Sequence, residues 1–344
     1  MKNGKLQAAV VGLGEGFRHI EAYRTNPDFE LVAVCDPHPD PLPKVQADRL
    51  IKFDLANTAI RYHDYMEVVN NPDIDVVSIV SPDFFHAEQA IACLKAGKHV
   101  LCEKPMTLDL GEASDIAKAV RETGKTFIIA HPTRYTPAFI LAKTMINRGD
   151  IGELFMVESE YAHNYNSAKG VNNWRVDARR EPFVGGGCHA VDLLRWVAGE
   201  AYEVSAFANH KCLADWPVND CTIAIYKFAN NVIGKVLVSI GCVRPYTMRS
   251  CFYGTEGTII CDNTSPDIKI CSRKFMAGKL DFASMPVNIA NHNVSAEIAD
   301  FMKCIINDMP VETSIYEGAR TVAAALAAAE SAKLGGQPVK IEQL

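Results

Sequence analysis

The sequence contains no C-x-x-C pair, although its eleven cysteines are scattered between Cys35 and Cys304. Common zinc and thiol–disulfide motifs need cysteines at short, paired spacing, so neither kind of site is supported. An odd number of scattered cysteines also argues against a disulfide framework. We therefore expect a reduced, cytoplasmic protein in which most cysteines are small buried apolar residues.

Long apolar runs are missing as well. The longest candidate, Val322 to Ala329, is short and mostly alanine, so we interpret it as a packed helix and expect no membrane span. Lys2 and Lys5 precede the apolar stretch Leu6 to Leu13, which loosely imitates a secretory signal. Glycines interrupt that stretch and no small-residue cleavage site follows, so we do not expect such a signal.

The chain has no excess of basic residues. Its 35 lysines and arginines are outnumbered by 41 aspartates and glutamates, which gives a net charge of −6. Proteins that bind nucleic acids generally carry a basic excess, so we expect no nucleic-acid partner. With 48% apolar and 22% charged residues, the composition is typical of soluble globular proteins. Its 344 residues allow two domains of ordinary size.

The first 130 residues alternate short apolar runs with helical stretches. Short continuous apolar runs are typical of strands that are covered on both faces of a sheet. They predict strands at Leu6 to Gly12, Leu31 to Cys35, Val76 to Val80, Val100 to Cys102 and Thr126 to Ile129. The clearest helical stretches between them are His86 to Ala96 and Leu110 to Thr123. This rhythm predicts an α/β unit built on a parallel sheet with right-handed crossovers.

After about residue 150 the strands follow one another closely. Strand-like segments occur at Leu154 to Tyr161, Glu203 to Asn209, Thr222 to Phe228, Val232 to Ile240, Met248 to Tyr253 and Thr258 to Asp262. Short turns between near neighbours favour an antiparallel or mixed sheet. One helix, roughly Cys188 to Val197, interrupts the strands, and two more close the chain near Ala296 to Ile306 and Tyr316 to Lys333. We place the two domains at residues 1–130 and 131–344.

A glycine-rich turn follows the first predicted strand and opens a helix. Gly12 permits a tight turn, and Gly14 lets the backbone approach a pyrophosphate at the helix N-terminus. The usual third glycine would fall at position 17, where the chain has Phe17, while Gly16 lies one place early. Glycines in an ordinary turn are the alternative interpretation. The segment, which includes Leu13, is thus an imperfect dinucleotide-binding fingerprint.

Asp36 strengthens the interpretation as a dinucleotide site. It ends the second predicted strand, 24 residues after Gly12 (36 − 12). A carboxylate there can accept hydrogen bonds from both ribose hydroxyls of NAD and would repel the additional phosphate of NADP. The alternative is a turn residue in Asp36-Pro37. We expect NAD as the cofactor, with NADP less favoured.

Two further segments follow predicted strands at the edge where parallel sheets bind ligands. Ser81 and Pro82 can line the nicotinamide side, although Ser81 can equally cap the next helix. His86 is either a ligand contact or an ordinary helix-start residue. Glu103-Lys104-Pro105 ends the next strand, and burial and the cationic ring of NAD would lower the pKa of Lys104. A lysine tuned in this way can transfer a proton to or from an alcohol, whereas the alternative is a solvated surface charge.

These motifs resemble those of the Gfo/Idh/MocA family, the glucose–fructose oxidoreductase / inositol dehydrogenase family. The resemblance covers nearly the whole chain and is carried by Gly12-Leu13-Gly14, Asp36-Pro37, Ser81-Pro82 with His86, Glu103-Lys104-Pro105, Arg134-Tyr135-x-Pro137, Trp174-Arg175, His189-x-x-Asp192 and Tyr253-Gly254-Thr255-x-Gly257.

The resemblance implies a Rossmann dinucleotide-binding domain followed by an α/β domain with a large open, mostly antiparallel sheet. In the family that sheet usually mediates homodimers or homotetramers. The resemblance also implies NAD(P)-dependent hydride transfer, mostly at a secondary hydroxyl of a sugar or polyol. The implied cofactor-binding residues are Gly12, Leu13, Gly14, Gly16, Asp36, Ser81, Pro82, His86, Glu103 and Lys104.

A second set of candidate catalytic residues follows three consecutive glycines. His189 and Asp192 are three residues apart on a predicted helix, so both can face the same cleft. By resemblance, His189 joins Lys104 in proton transfer at the reacting hydroxyl. Many relatives have an aspartate four residues before this histidine, but this chain has Gly185. We therefore expect a Lys104/His189 pair, with Asp192 orienting the histidine, and the alternative for His189 is a helix-cap residue after flexible glycines.

Candidate substrate contacts are more loosely indicated. Trp174 offers a flat apolar face to a sugar ring and Arg175 a planar fork of donors, with packing between domains as the alternative. Lys104 and His189 are also expected to contact the substrate. Four residues are weaker candidates for the substrate wall, and packing or surface exposure is the favoured alternative for them, namely Arg134, Tyr161, His163 and Tyr165. His292, ahead of the predicted helix near Ala296, is ambiguous.

Three functions remain open at this point. The favoured one is an NAD-dependent oxidoreductase acting on a secondary hydroxyl of a sugar, polyol or glycoside. The second is an NAD-dependent glycoside hydrolase or lyase, in which the sugar is oxidised transiently and no NADH accumulates. The third is a non-catalytic, nucleotide-bound sensor, against which Lys104 and His189 argue.

Overall fold

The computed structural model describes residues 1–38, 42–276 and 278–343. The strands are β1 (Leu6–Val11), β2 (Phe29–Cys35), β3 (Ile60–Tyr62), β4 (Val76–Ile79), β5 (His99–Glu103), β6 (Phe127–Ala130), β7 (Leu154–Ala162), β8 (Ala201–Asn209), β9 (Cys221–Phe228), β10 (Ile233–Ser239), β11 (Thr247–Gly254), β12 (Gly257–Asp262), β13 (Asp267–Ser272), β14 (Ala283–Pro286) and β15 (Val339–Lys340). The α-helices are α1 (Gly16–Thr25), α2 (Lys44–Lys52), α3 (Leu55–Thr58), α4 (Tyr65–Asn70), α5 (His86–Lys95), α6 (Leu110–Thr123), α7 (Pro137–Asn147), α8 (Pro182–Gly185), α9 (Cys188–Ala198), α10 (Val294–Ile306) and α11 (Ile315–Lys333).

The chain forms two compact units, each built from separate segments. Unit 1 consists of Met1–Ala130, Gly170–Arg175 and Val294–Ala319. Unit 2 consists of His131–Lys169, Val176–Asn293 and Arg320–Leu344. The domain bounds expected from the sequence, 1–130 and 131–344, therefore differ from these units in two segments that return to unit 1.

The second returning segment joins unit 1 for a packing reason. Val294, Ile298 and Phe301 of α10 are buried in the same apolar cluster as Ile20 and Tyr23 of α1. Burying such side chains is worth about 1.5–3 kcal/mol each, so an amphipathic helix packs wherever an apolar face is open to it. Chain order alone does not show which sheet that helix covers.

Unit 1 contains a six-stranded parallel sheet in the order β3-β2-β1-β4-β5-β6. The five expected strands all form, and every residue of β1, β4 and β6 is buried. Sequence reasoning missed β3, a three-residue edge strand whose Ile60 is exposed, because it has too few residues to show a pattern. The order reverses between β1 and β4, which is the position where open α/β sheets bind ligands.

Unit 2 contains a nine-stranded sheet in the order β14-β13-β12-β11-β7-β10-β9-β8-β15. All neighbouring strands are antiparallel except β7 and β10, which run parallel. The six expected strands are present. Sequence reasoning missed the edge strands β14 and β15, and also β13, which lies between β14 and β12. The expectation of a large, mostly antiparallel sheet is confirmed.

One face of this sheet is covered and the other is open. Along β9, Thr222, Ala224, Tyr226 and Phe228 are buried, and the side chains between them are exposed. The Tyr226 hydroxyl donates to the Ala324 carbonyl of α11, 3.1 Å away, on the covered face. The open face presents several large apolar side chains, namely Phe155, Phe207, Ile223, Ile225 and Ile233.

All eleven cysteines are free, and most are buried, as expected for small apolar residues. Within the described ranges no helix combines the length and apolar character needed to cross a membrane.

Candidate active site

The glycine turn lies between β1 and α1 in unit 1. Gly12 has a φ of +97°, and a Cβ placed on it would lie 2.5 Å from the Val80 carbonyl oxygen, so only glycine fits. A Cβ on Gly14 would meet nothing within 4 Å, which leaves that side of the backbone open. This open backbone at the start of α1 fits the pyrophosphate of a dinucleotide.

Gly16 explains why the fingerprint works without a glycine at position 17. A Cβ on Gly16 would lie 3.0 Å from Val10 Cγ1, so this first residue of α1 permits the close approach of helix and strand. Phe17 is then free to carry a large side chain, and the Arg49 guanidinium stacks over its ring, 4.0 Å from the ring centroid. The helix–strand contact is therefore made one residue earlier than in the usual pattern.

Asp36 directly follows β2 and is buried beside this turn. Its Oδ2 accepts the Leu13 N–H at 3.0 Å, and its Oδ1 accepts the His38 N–H at 3.1 Å. Oδ1 also pairs with Nδ1 of the His38 ring, so of the roughly four acceptor positions of the carboxylate the one left on Oδ2 can take a ribose hydroxyl. The turn and the carboxylate are thus held together before any ligand binds, and the residues present fit NAD.

Arg49 of α2 is a second polar group at the turn, and sequence reasoning missed it. Its guanidinium donates to the Leu13 carbonyl at 3.1 Å and also to the Gly14 carbonyl. Partial burial lowers the pKa of Arg49. Nothing in the local sequence marks it, because it reaches the turn from a separate helix.

The next two segments meet at the carboxyl edge of the unit 1 sheet. The His86 ring lies between two carbonyl oxygens, with Nδ1 2.8 Å from that of Pro105 and Nε2 2.9 Å from that of Ser81. Ser81 donates its hydroxyl to Gln89 at 2.7 Å. His86 therefore links the segments after β4 and β5, and its ring nitrogens face the protein. These two contacts place the ring next to Pro82 and Lys104, and the cofactor contact expected of His86 stays a prediction.

Glu103 and Lys104 end β5 at the same edge. One Glu103 oxygen accepts the Lys104 N–H at 3.1 Å, and the other lies 3.3 Å from His19 Nε2. The opposite nitrogen of His19 is 3.1 Å from the Ser78 hydroxyl, which in turn is 2.8 Å from that of Tyr23. The Lys104 side chain is half-buried. A buried polar chain thus supports the backbone that carries this lysine.

Glu297 of α10 is a further titratable group in unit 1 that the sequence did not single out. Its side chain is only 1% exposed, and neither carboxyl oxygen has a hydrogen-bond partner among the described residues. Burial raises the pKa of Glu297 well above its usual value, the charge of Glu103 raises it further, and Lys104 opposes the shift. The neutral carboxylic acid is therefore favoured in the electrostatic surroundings of Glu103 and Lys104.

In unit 2, three glycines lie between Glu181 and α9, and each is tightly packed. A Cβ on Gly185 would lie 2.5 Å from Arg180 Cζ, and one on Gly186 would lie 2.6 Å from the Tyr161 ring. A Cβ on Gly187 would lie 2.4 Å from the Phe183 carbonyl oxygen. The glycines are required for close approach, which corrects the interpretation of a flexible segment. The buried guanidinium of Arg180, 2% exposed, lies beside Gly185.

His189 lies in the first turn of α9 and is 1% exposed. Its ring stacks on Tyr161, with centroids 5.5 Å apart and planes at 17°. The Tyr161 hydroxyl lies 3.1 Å from His163 Nδ1 and 3.0 Å from the Tyr165 hydroxyl. Burial and the neighbouring tyrosines Tyr165 and Tyr246 raise the pKa of Tyr161, which keeps its hydroxyl protonated. His189 therefore lies in a cluster of tyrosine and histidine rings that carry hydroxyl groups or ring nitrogens at their edges.

Asp192 does not contact His189 among the interactions that the structure shows. Its carboxylate is completely buried and accepts two hydrogen bonds from Arg134, at 2.9 and 2.7 Å. Burial alone would raise the pKa of Asp192, but the charges of Arg134, His131 and Arg195 outweigh it and hold that pKa well below its usual range. Thr321 donates a further hydrogen bond at 3.2 Å.

Two expectations from the sequence concern these residues, namely that Asp192 orients His189 and that Arg134 lies at the substrate wall. Both stay predictions. A buried guanidinium and a buried carboxylate satisfy each other well in a two-point pair, and Arg134 and Asp192 form such a pair here. The one-turn spacing of His189 and Asp192 places them on neighbouring parts of α9, but their partners differ.

Trp174 and Arg175 belong to the short segment that groups with unit 1. The Arg175 guanidinium lies over the indole, 4.5 Å from the ring centroid, and both side chains are half-buried. A Cβ on Gly170 would lie 2.4 Å from Trp174 Nε1, so this glycine allows the indole to fold back on its own segment. The two candidates thus form one stacked pair.

Comparison with known proteins agrees with this description. A family model described as "Oxidoreductase family, NAD-binding Rossmann fold" matches residues 6–131, and the model of the GFO/IDH/MocA C-terminal domain matches residues 139–260. Levoglucosan dehydrogenase of Pseudarthrobacter phenanthrenivorans is 28% identical over 298 residues, 74% of either chain. Inositol 2-dehydrogenase of Salmonella typhimurium is 27% identical over 260 residues, 73% of this chain and 72% of that protein.

The fold is shared with solved structures along the full length of the chain. A levoglucosan dehydrogenase in complex with NADH and L-sorbose superimposes with a TM-score of 0.88, covering 99% of this chain and 100% of that one at 23% identity. This likeness concerns the fold.

Proposed function

Because this chain belongs to the Gfo/Idh/MocA family of oxidoreductases and has its NAD-binding Rossmann fold, we propose that it transfers a hydride between NAD and a secondary hydroxyl of a sugar, polyol or glycoside. The observation that carries the proposal is the buried His189 imidazole, stacked on Tyr161 within a cluster of polar-tipped rings. Aromatic rings of this kind bind the apolar faces of sugars, and their tips hydrogen-bond to hydroxyls. The names of the two relatives above, which act on an anhydrosugar and a cyclic polyol, support the same substrate class.

We assign separate roles to the residues that would hold the cofactor. The open backbone at Gly14 and the start of α1 admit the pyrophosphate. Asp36 accepts a ribose hydroxyl and disfavours an additional phosphate. When bound, NAD supplies the hydride acceptor or donor. These assignments require no rearrangement of the turn, because Gly12 and Asp36 already fix its shape.

Proton transfer is assigned to Lys104 and His189. In alcohol oxidation the hydroxyl must lose a proton as its carbon loses a hydride, and in the reverse reaction it regains one. Lys104 stabilises the developing alkoxide charge, and the buried imidazole of His189 accepts the proton. Glu103 and His19 hold the backbone of Lys104 in place. Asp192 and Arg134 act on the fold of unit 2 rather than on the proton.

The test replaces the lysine and separates binding from chemistry. Lys104→Ala is expected to abolish NADH formation with a panel of sugars and polyols, read at the NADH absorbance, while NAD affinity stays nearly unchanged. Lys118→Ala, an exposed lysine on α6, is the matched control and should behave as the wild type. Full turnover by the Lys104 variant would defeat the assignment.

A second function has one observation in its favour. The place of the familial aspartate is taken by Gly185 with Arg180 packed against it, so the acid–base layout differs from the usual one. A glycosidase that oxidises its sugar transiently, eliminates the aglycone and returns the hydride needs a different layout. Release of an aglycone from aryl glycosides without accumulation of NADH would identify that reaction.

We also propose that the chain forms a homodimer or homotetramer through the open face of the unit 2 sheet. Phe207 pairs with Ile223 across β8 and β9, and Ile225 pairs with Lys235 across β9 and β10. Lys235 forms an ion pair with Glu158 of β7 at 3.0 Å. An exposed apolar surface with ion pairs beside it is typical of protein–protein interfaces, and in a symmetric dimer the same surface of two copies is in contact.

A further inference from the structure

The backbone at His292 is held in an uncommon conformation. Its φ is +52°, in the left-handed region that residues other than glycine seldom adopt. The residues on both sides are anchored by side-chain hydrogen bonds. Asn263 donates to the Asn291 side chain at 2.9 Å, and Asn293 donates to the Tyr135 carbonyl at 3.2 Å. Such conformations persist where the surroundings impose them, and they are frequent at functional sites.

This anchoring places the imidazole of His292 beside that of His189. The two ring centroids are 5.4 Å apart with planes at 88°. His292 Nε2 is 2.9 Å from the Tyr246 hydroxyl, and the Tyr246 ring packs against Tyr161, with centroids 5.7 Å apart. His292 is therefore part of the ring cluster that surrounds His189, although it lies more than 100 residues further along the chain.

Two imidazoles at this distance compete for a single proton. Placing a positive charge on both rings is disfavoured, because they repel each other across a partly dehydrated gap. His189 is 1% exposed, whereas His292 is half-buried and can be solvated. Dehydration penalises the charged form, so the first proton goes to His292.

Other ionisable groups of unit 2 lie near the pair. Tyr161 stacks on His189, Tyr246 contacts His292, and the rings of His163 and Tyr165 pack against Tyr161. Arg180 lies near Tyr161 and Tyr165, and Asp192, on the same helix as His189, pairs with Arg134 and lies 3.7 Å from His131. The pKa of Asp192 is held low by its cationic neighbours and that of Tyr161 is raised by burial, so the carboxylate is paired and the phenol is neutral.

We propose that His292 is a positioning residue for His189, which keeps that imidazole free of a proton at neutral pH so that it can accept one from the substrate. The inference rests on the proposed function, in which His189 is the proton acceptor. Nothing is transferred to His292 from the substrate, and its effect is electrostatic.

The test uses His292→Asn, because asparagine tolerates the left-handed backbone and lacks an ionisable ring. Without the competing charge, His189 should be protonated more readily. The acid limb of the pH profile of kcat/KM for alcohol oxidation should move up by about one pH unit, while kcat at pH 9 is retained. His210→Asn, a change at an exposed histidine, is the matched control and should leave the profile in place. An unmoved acid limb in the folded His292 variant would overturn the inference.

A direct titration covers the case in which the variant does not fold. Histidine labelled with carbon-13 at Cε1 allows both rings of the wild type to be titrated by NMR. The inference requires that His292 take up its proton at a higher pH than His189, and the opposite order refutes it. A His189→Asn arm separates the two proposals. Full turnover of that variant contradicts the proposed function, whereas lost turnover with an unmoved His292→Asn profile contradicts only the role of His292.

Discussion

Replacement of Glu297 by glutamine tests the buried carboxylic acid of unit 1. Glutamine is nearly isosteric with the protonated acid but cannot ionise. Because burial raises the folded-state pKa of Glu297 above its usual value of 4.5, its contribution to stability is fully present below that value. The contribution is lost as the pH rises toward the folded-state pKa, since only the unfolded chain can then release the proton. We therefore expect Glu297→Gln to be more stable than the wild type near neutral pH.

The magnitude follows from the linkage between proton binding and folding. One proton held only in the folded state changes the free energy of unfolding by about 1.4 kcal/mol per pH unit. Over each pH unit that lies between the unfolded-state and the folded-state pKa of Glu297, the wild type should therefore lose up to about 1.4 kcal/mol relative to the variant. A difference of this size is readily measured.

The assay is urea unfolding of both proteins followed by circular dichroism at several pH values. For each protein the free energy of unfolding is plotted against pH, and subtracting one plot from the other removes the contributions of all other titrating groups. Glu122→Gln, at an exposed helix position, is the control and should show a difference that does not change with pH. The reasoning is wrong if the difference in free energy of unfolding between the wild type and Glu297→Gln does not change with pH, or if it favours the wild type as the pH rises. Either result would show that the carboxyl group is ionised in the folded protein.

Two further expectations concern unit 2. Asp192→Asn should lower the free energy of unfolding by about 3 kcal/mol, because it leaves the buried Arg134 without its counter-charge. In the same unfolding assay Asp177→Asn, which breaks the more exposed ion pair with Arg179, should change it by less than about 0.5 kcal/mol. Equal effects of the two changes would contradict the burial argument. Ile225→Lys should convert the oligomer to monomers without unfolding it, as read by sedimentation velocity, and a monomeric wild type would refute the interface.

Much of the fold could be predicted because its signals are local. The strands of the unit 1 sheet are buried on both faces, so each is a continuous apolar run, and Leu110–Thr123 forms the expected helix with the same bounds. Gly124 caps that helix with a φ of +63°, a conformation that favours glycine. Of the strands that were missed, β3 and β15 are edge strands of three and two residues, too short to show a periodic pattern. β13 is different, because buried and less buried residues alternate along its six positions, so its pattern was present in the sequence.

The candidate site was only partly predictable, because pairing partners depend on tertiary contacts. A spacing of three residues placed His189 and Asp192 on one helix, but it could not show that Arg134 would occupy the carboxylate of Asp192. The three glycines suggested flexibility, whereas the packed Arg180 and Tyr161 show that they allow close approach. His292 was no more than a weak candidate, since its neighbours are distant in the chain.

The sequence by itself determined the alternation of strands and helices in unit 1, the closely spaced strands of unit 2, and the glycine turn with its carboxylate, and it predicted Lys104 and His189 for proton transfer. Each of these depends on side-chain chemistry or on a period that neighbouring residues share. Only the tertiary structure decided that α10 completes unit 1, that Glu297 is buried with no hydrogen-bond partner among the described residues, and that a second imidazole lies beside His189. These features arise from packing between distant segments, and their energies depend on burial and distance, which no local pattern encodes.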